Sequence, residues 1–202
     1  MKNIHYLKAA VSAHQLNDKL FKELNWREAV VRKTKNGLVR GRQTLGFGNA
    51  PFEYAGKYMD PDPWESLPGL INIKEDCEDF ASIMYKKNVE FSFCLCGYYG
   101  EDGRGIPHHS DTVPTLDDIV VSVSFGAPRV FVWREYQNFI KEKTNTSDIF
   151  IKENFVKKET HYILEHGDVI MFDGHSQMKC THAVSDCPLA GERINLTFRS
   201  GI

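Results

Sequence analysis

Beyond Val89 the apolar residues recur at every second position. This period of two restricts the second half of the chain to short β-strands with one buried face. Phe91, Phe93 and Leu95 alternate with Ser92, Cys94 and Cys96. Ile119, Val121, Val123 and Phe125 alternate with Val120, Ser122 and Ser124. Gly126-Ala127-Pro128 turns the chain and Val130-Phe131-Val132-Trp133 returns; Gly167-Asp168 then turns into Val169-Ile170-Met171-Phe172. Residues 193–199 form the last strand, and the polar, lysine-containing stretch 134–160 reads as an excursion or long hairpin loop.

The first half has a different grain. Ser12-Ala13-His14-Gln15 has the form of a capping box, and Leu16, Leu20, Phe21 and Leu24 follow at helical spacing, so a helix is expected over about 12–24. From Trp26 to Gln43 the chain is basic, and Asn36-Gly37 predicts a hairpin turn between two short strands. Such a hairpin is either a solvated edge or one that contacts phosphates. Residues 44–64 are rich in Gly, Pro and rings, and read as a loop-like cover whose aromatics either pack or stack on a flat ligand. Over 65–87 the apolar spacing predicts helix, interrupted between Ile73 and Cys77. No repeat or linker divides the 202 residues.

The expectation is a single domain over 1–202, α+β but mainly β. Its core, about 89–202, is a double-stranded β-helix of the jelly-roll or cupin-like kind. The cover and N-terminal buttressing helices occupy about 26–88.

Composition excludes several classes of function. The net charge of −2 gives no bulk attraction for polyanions, so any nucleic-acid contact needs a local patch. No apolar run approaches the ~20 residues of a membrane span, and Met1–Tyr6 lacks the apolar core of a secretory signal. The five cysteines have no framework spacing. They read as reduced thiols in an intracellular compartment, cytoplasm or nucleus. Cys94-Leu95-Cys96 is a pair of buried thiols rather than a metal site. A monomer without membrane contact is expected.

Chemistry concentrates in two stretches. In Ile106-Pro107-His108-His109-Ser110-Asp111, an extended backbone turns His109 and Asp111 to one face, their Cα atoms ~6.6 Å apart. A distant second histidine would complete a 2-His-1-carboxylate site of the kind that holds non-haem Fe(II). The candidates are His161, His166, His175 and His182. His161 and His166 precede a turn and read as loop residues, His175 follows an expected strand end, and His182, which opens a new extended segment, is favoured over His175. In 193–199, Ile194, Leu196 and Phe198 share one face, while Arg193, Asn195, Thr197 and Arg199 share the other. That polar face either meets solvent or points into the barrel. Inside a barrel, two arginines require anions, and their forked donors suit carboxylates.

Together, Ile106–Asp111, Gly167–Phe172, His182 and the Arg-x-Asn-x-Thr-Phe-Arg strand resemble the AlkB family of Fe(II)/2-oxoglutarate dioxygenases. Phe52-Glu53-Tyr54-Ala55-Gly56 and Pro61-Asp62-Pro63-Trp64 are similar to the nucleotide-recognition cover of its repair members. The resemblance runs from about Trp26 to Arg199. It implies His109, Asp111 and His182 as iron ligands, and Tyr99, Arg193, Asn195, Thr197 and Arg199 as contacts of 2-oxoglutarate. It also implies Phe52 and Tyr54 against the target base, with Arg32, Lys33, Lys35 and Arg42 along the nucleic-acid backbone. The implied reaction uses Fe(II), 2-oxoglutarate and O2 to remove an N-alkyl group from a base in DNA or RNA, single-stranded or with the base flipped. Two departures stand out. Gly97 occupies the Asn position of the family's Asn-x-Tyr pair, and Thr112-Val113 stand where acids often follow His-x-Asp. The modest net charge and those missing acids favour a rival, a related dioxygenase acting on a protein or other substrate. A non-catalytic jelly-roll binding module is the remaining alternative.

Overall fold

A computed structural model describes residues 4–12, 24, 31–34, 37–40, 42–49, 51–54, 57–100, 102–111, 115, 117–137, 141–143, 149–151 and 155–200. The side chains of 31–34, 37–40, 52–54, 57, 141–143 and 149–151 are outside that description. The helix expected over 12–24 falls outside the described residues except at its two ends.

The strands β1 (His5–Leu7), β2 (Val31–Thr34), β3 (Gly37–Arg40), β4 (Gln43–Gly48), β5 (Phe52–Tyr54) and β6 (Lys57–Met59) precede the long helix α1 (Leu70–Tyr85). Then come β7 (Phe93–Tyr99), β8 (Ile106–His109), β9 (Ile119–Gly126), β10 (Arg129–Tyr136), β11 (Lys141–Lys143), β12 (Ile149–Ile151), β13 (Val156–Leu164) and β14 (Val169–Asp173). The one-turn helix α2 (Gly174–Gln177), β15 (Cys180–Val184) and β16 (Arg193–Arg199) complete the chain. A six-stranded sheet runs β1-β14-β9-β16-β7-β4 and a four-stranded sheet runs β13-β10-β15-β8, with every pairing antiparallel. This is the expected double-stranded β-helix.

The period of two explains both faces of the larger sheet. Leu45, Phe47, Cys94, Cys96, Val121, Val123, Ile194, Leu196 and Phe198 form one apolar layer with α1. On the opposite face, Val120, Ile170 and Phe172 meet Phe131, Trp133 and Val184 of the smaller sheet. The polar face of β16 points into this inter-sheet space, where Arg193, Asn195, Thr197 and Arg199 are all buried. Cys77, Cys94 and Cys96 are buried free thiols on the α1 side, and burial holds all three in the protonated form.

Three local expectations change. Helix α1 is continuous through residues 73–77, because Leu70, Ile73, Cys77 and Ala81 form a single buried stripe. Lys74 closes on Glu78 one turn later at 2.6 Å, so the charged residues that look like a break lie along an unbroken helix. Within 134–160, where the sequence predicts a loop, β13 begins at Val156 and pairs with β10 along its length. Charged side chains on an edge strand are ordinary and block further strand pairing. His161 accordingly lies on β13, not in a loop. Finally, the cover contains strands β4, β5 and β6. Two of its rings are core, Phe47 within the β4 layer and Trp64 stacked on Phe198 at 6.4 Å. The two short strands expected on either side of the Asn36-Gly37 turn, β2 and β3, pair antiparallel.

Candidate active site

His109 and His182 face each other across the β8–β15 pairing. That pairing is clamped just upstream of β8. Gly105 donates to Asp186 Oδ1 at 2.7 Å, Cys187 donates to the Gly103 carbonyl at 2.7 Å, and a Cβ on Gly105 would lie 1.9 Å from the Val184 carbonyl oxygen. Asp111 follows β8 directly. Its backbone N–H donates to Gln177 Oε1 at 3.2 Å, and the Ser110 hydroxyl donates to the Cys180 carbonyl at 2.8 Å. The ligating atoms of His109, Asp111 and His182 all lie within 4.8 Å of one another.

Each ligand is oriented by its surroundings. His109 Nδ1 sits 2.9 Å from the Pro107 carbonyl. As a donor there, it leaves Nε2, 3.8 Å from Asp111, with its lone pair free. The His182 ring is stacked near-parallel on Phe131 at 5.3 Å and on Trp133 at 6.2 Å, with Phe172 at 5.1 Å. Its Nε2 is 3.7 Å from Asp111. Burial, reinforced by neighbouring His109, pulls the His182 pKa down to about 3, and burial also lowers that of His109. Both imidazoles are therefore neutral at physiological pH, as metal ligands must be. Burial alone would raise the Asp111 carboxyl, but Arg199 above all, with His182 and His109, holds it well below the usual carboxylate range. Two neutral imidazoles and one carboxylate, converging from one side of a pocket, suit Fe(II) with positions left for other ligands.

The β16 face divides into two ends. Arg199 Nη2 lies 2.7 Å from Asp111 Oδ1, so this arginine steadies the carboxylate of the candidate metal cluster. Arg193 sits at the other end, with its guanidinium carbon 4.7 Å from the Tyr99 ring centroid and Nη2 donating to Ser124 Oγ at 2.8 Å. Its Nε and Nη1 are buried without hydrogen-bond partners. Such donors are costly unless an anion reaches them, and a carboxylate of 2-oxoglutarate fits that need. Between the two arginines, Asn195 donates to Ser122 Oγ at 2.6 Å and accepts from the Thr197 hydroxyl at 3.1 Å.

The pocket gathers all eight residues expected to bind iron and co-substrate, and Arg42 with them. Arg42, grouped in the sequence with the basic hairpin, donates to the Tyr99 hydroxyl at 2.9 Å. His175 lies on α2 beside Asp117, at 3.4 Å, and takes no part in the triad. Lys35 lies outside the described residues, as do the side chains of Arg32, Lys33, Phe52 and Tyr54. Gln177, Phe131 and Phe172 were not singled out from sequence. The alternation of β10 and β14 shows that the two rings point inward, but nothing in the sequence marks Gln177.

The fold and this site are those of the Fe(II)/2-oxoglutarate oxygenase class, and the chain belongs to the 2OG-Fe(II) oxygenase superfamily, which matches residues 3–199. Within it the similar proteins include several AlkB proteins. Alpha-ketoglutarate-dependent dioxygenase alkB homolog 3 of Mus musculus is 27% identical over 187 residues, covering 91% of this chain and 59% of the relative. Alpha-ketoglutarate-dependent dioxygenase AlkB of Salmonella typhimurium is 27% identical over 164 residues, 77% of this chain and 67% of the relative. DNA oxidative demethylase ALKBH2 of Bos taurus is 25% identical over 170 residues, 81% of this chain and 54% of the relative. The chain thus spans little more than half the length of the first and last of these. The solved structure of OsALKBH1 shares the fold, with a TM-score of 0.64 over 99% of this chain and 97% of that one at 19% identity.

Proposed function

We propose that this protein removes N-alkyl groups from bases in DNA or RNA, using Fe(II), 2-oxoglutarate and O2. The observation that carries the proposal is the convergent triad His109, Asp111 and His182, set in one pocket with the guanidinium of Arg193. Bound iron with its co-substrate supplies the oxidising power: 2-oxoglutarate and O2 yield succinate, carbon dioxide and a hydroxylated N-alkyl carbon, whose C–N bond then breaks to release an aldehyde.

The protein's own residues bind, orient and shield. His109, Asp111 and His182 hold the metal, and Arg199 keeps Asp111 ionised. Arg193 takes a co-substrate carboxylate, while Asn195, Thr197 and Tyr99 shape the channel between. The rings around His182 keep water from its inner face. The target base must leave its stack to reach so enclosed a site, unless the strand is already single. Phe52 and Tyr54 are assigned to stacking that base, and Arg32, Lys33 and Lys35 to the backbone. The names of the bovine and murine relatives, a DNA oxidative demethylase and an alpha-ketoglutarate-dependent dioxygenase, support this reading.

The test is mass spectrometry of N-methylated DNA and RNA oligonucleotides incubated with enzyme, Fe(II), ascorbate and 2-oxoglutarate. Loss of the methyl mass, abolished by Ala at His109, Asp111 or His182, is expected. Succinate formation that oligonucleotides neither stimulate nor compete with would assign the enzyme to a different substrate. Absence of iron-dependent succinate formation would make it a binding module.

A further inference from the structure

Gly97 occupies the place where the family's pair has an asparagine, and Arg42 fills the space that a side chain there would take. Gly97 pairs with Thr44 of β4 on one side and Asn195 of β16 on the other, so its missing side chain would stand beside the co-substrate residues. A Cβ built on Gly97 would lie 2.9 Å from both Cδ and Nε of Arg42 and 3.3 Å from its guanidinium carbon. An asparagine at 97 and Arg42 in its present position are therefore mutually exclusive. Arg42 enters from just before β4 and crosses over Gly97. Its guanidinium carbon lies 5.8 Å from the Tyr99 ring, the same ring that Arg193 approaches at 4.7 Å. Among the described residues the pocket lining contains three arginines, Arg42, Arg193 and Arg199, of which Arg199 is joined to Asp111. Arg42 and Arg193 thus meet at Tyr99 on the wall of the co-substrate pocket, where two forked donors suit a ligand with two carboxylates.

We infer that Arg42 is a 2-oxoglutarate-binding residue: it takes the place of the missing asparagine at 97, replacing a neutral amide donor with a charged fork that clamps the co-substrate beside Tyr99 and Arg193. The inference rests on the co-substrate reading proposed above and adds that Gly97 and Arg42 form one functional unit. Glycine at 97 is what admits the arginine.

Binding, rather than turnover, is the readout. Titration calorimetry would measure 2-oxoglutarate affinity in protein loaded with Mn(II), a redox-inert stand-in, with each variant's fold checked by circular dichroism. Arg42→Ala should weaken binding about ten-fold or more, as expected for loss of a charge-assisted bond. Arg42→Met, which keeps the apolar stem, should do the same and serves if the alanine variant does not fold. Arg42→Lys should recover only part, because it lacks the fork. Gly97→Asn should displace Arg42 and weaken binding in the wild-type background. In the Arg42→Ala background it should instead restore affinity, so that the two substitutions are non-additive. Wild-type affinity in both Arg42→Ala and Arg42→Met overturns the inference while leaving the proposed function standing. Unchanged 2-oxoglutarate affinity with weakened binding of a methylated oligonucleotide overturns it too, and assigns Arg42 to the substrate. A wild-type protein that binds no 2-oxoglutarate overturns both readings.

Discussion

Replacing Arg199 with Met tests whether the charge pair behind the metal site is a structural necessity of the metal-free protein. Arg199 and Asp111 are 8% and 11% exposed at their side chains and 2.7 Å apart. Methionine preserves most of the stem and removes only the guanidinium. The Asp111 carboxylate then remains buried between two neutral imidazoles with no cation at hydrogen-bond distance. Breaking a buried pair in this way costs roughly 3–5 kcal/mol. For a domain of this size that lowers Tm by roughly 6–20 °C, at about 2–4 °C per kcal/mol. Urea unfolding of the metal-free protein at pH 7 measures the loss directly. Replacing both residues, as Asp111→Asn with Arg199→Met, removes both charges and should cost less than the two single changes added together, by roughly 1–3 kcal/mol. Divalent metal should also rescue Arg199→Met more than wild type, because the ion supplies the charge the carboxylate has lost. A loss below about 1 kcal/mol for Arg199→Met, or additive single changes, would refute the reasoning; the pair would then behave like a solvated surface bridge.

Two further predictions concern acid stability and the clamp upstream of β8. Folded, His182 takes up a proton only near pH 3, whereas in the unfolded chain it does so near 6.5. Between those values the unfolded chain holds more protons, so metal-free stability should fall as pH drops through this window, by up to about 1.4 kcal/mol per pH unit from this group. Urea melts at pH 7, 5.5 and 4.5 should show a shallower slope for His182→Gln than for wild type, and equal slopes would count against a neutral buried His182. Gly105→Ala should destabilise by more than about 3 kcal/mol and weaken Mn(II) binding, because its Cβ cannot coexist with the Val184 carbonyl 1.9 Å away and the β8–β15 pairing would have to open. Wild-type melting and metal affinity in that variant would show that the pairing is looser than described.

What was legible in the sequence follows from where each side chain points. The two faces of β16 could be told apart because they meet different surroundings, α1 on one side and the pocket on the other; the alternation records that difference, but not that the polar side faces a pocket rather than solvent. The candidate metal-binding cluster was legible for a related reason: His109 and Asp111 lie two residues apart on extended chain, and His182 lies on another strand. α1 was harder. Its Lys74-Glu75-Asp76 segment looks like a break to a reader following polarity, yet Ile73 and Cys77 lie one turn apart and carry the apolar stripe across it. β13 was missed because, of its nine residues, only Leu164 is fully buried. An edge strand that presents charge to solvent has the composition of a loop, and only its partner β10 reveals it.

The residues hardest to read were those that act on other residues. Gln177 holds the backbone of Asp111 across 66 positions, and Arg199 holds its side chain across 88; neither distance leaves a periodic trace. Arg199 was nonetheless found, because it sits in a strand whose inward face is obvious, while Gln177 sits on a one-turn helix with no such face. Arg42 is the sharper case. In sequence it is one basic residue among several near a hairpin, and electrostatics alone would send it to a phosphate backbone. Its neighbour Gly97 is 55 positions away, and the two meet only because β4 pairs with β7 in a register that sets Thr44 against Gly97. A glycine in a strand leaves a space that another residue can enter. Here the residue that enters is a cation, and it lines the pocket beside Tyr99 and Arg193. A departure from a family pattern at one position is therefore best read together with whatever fills the space it leaves.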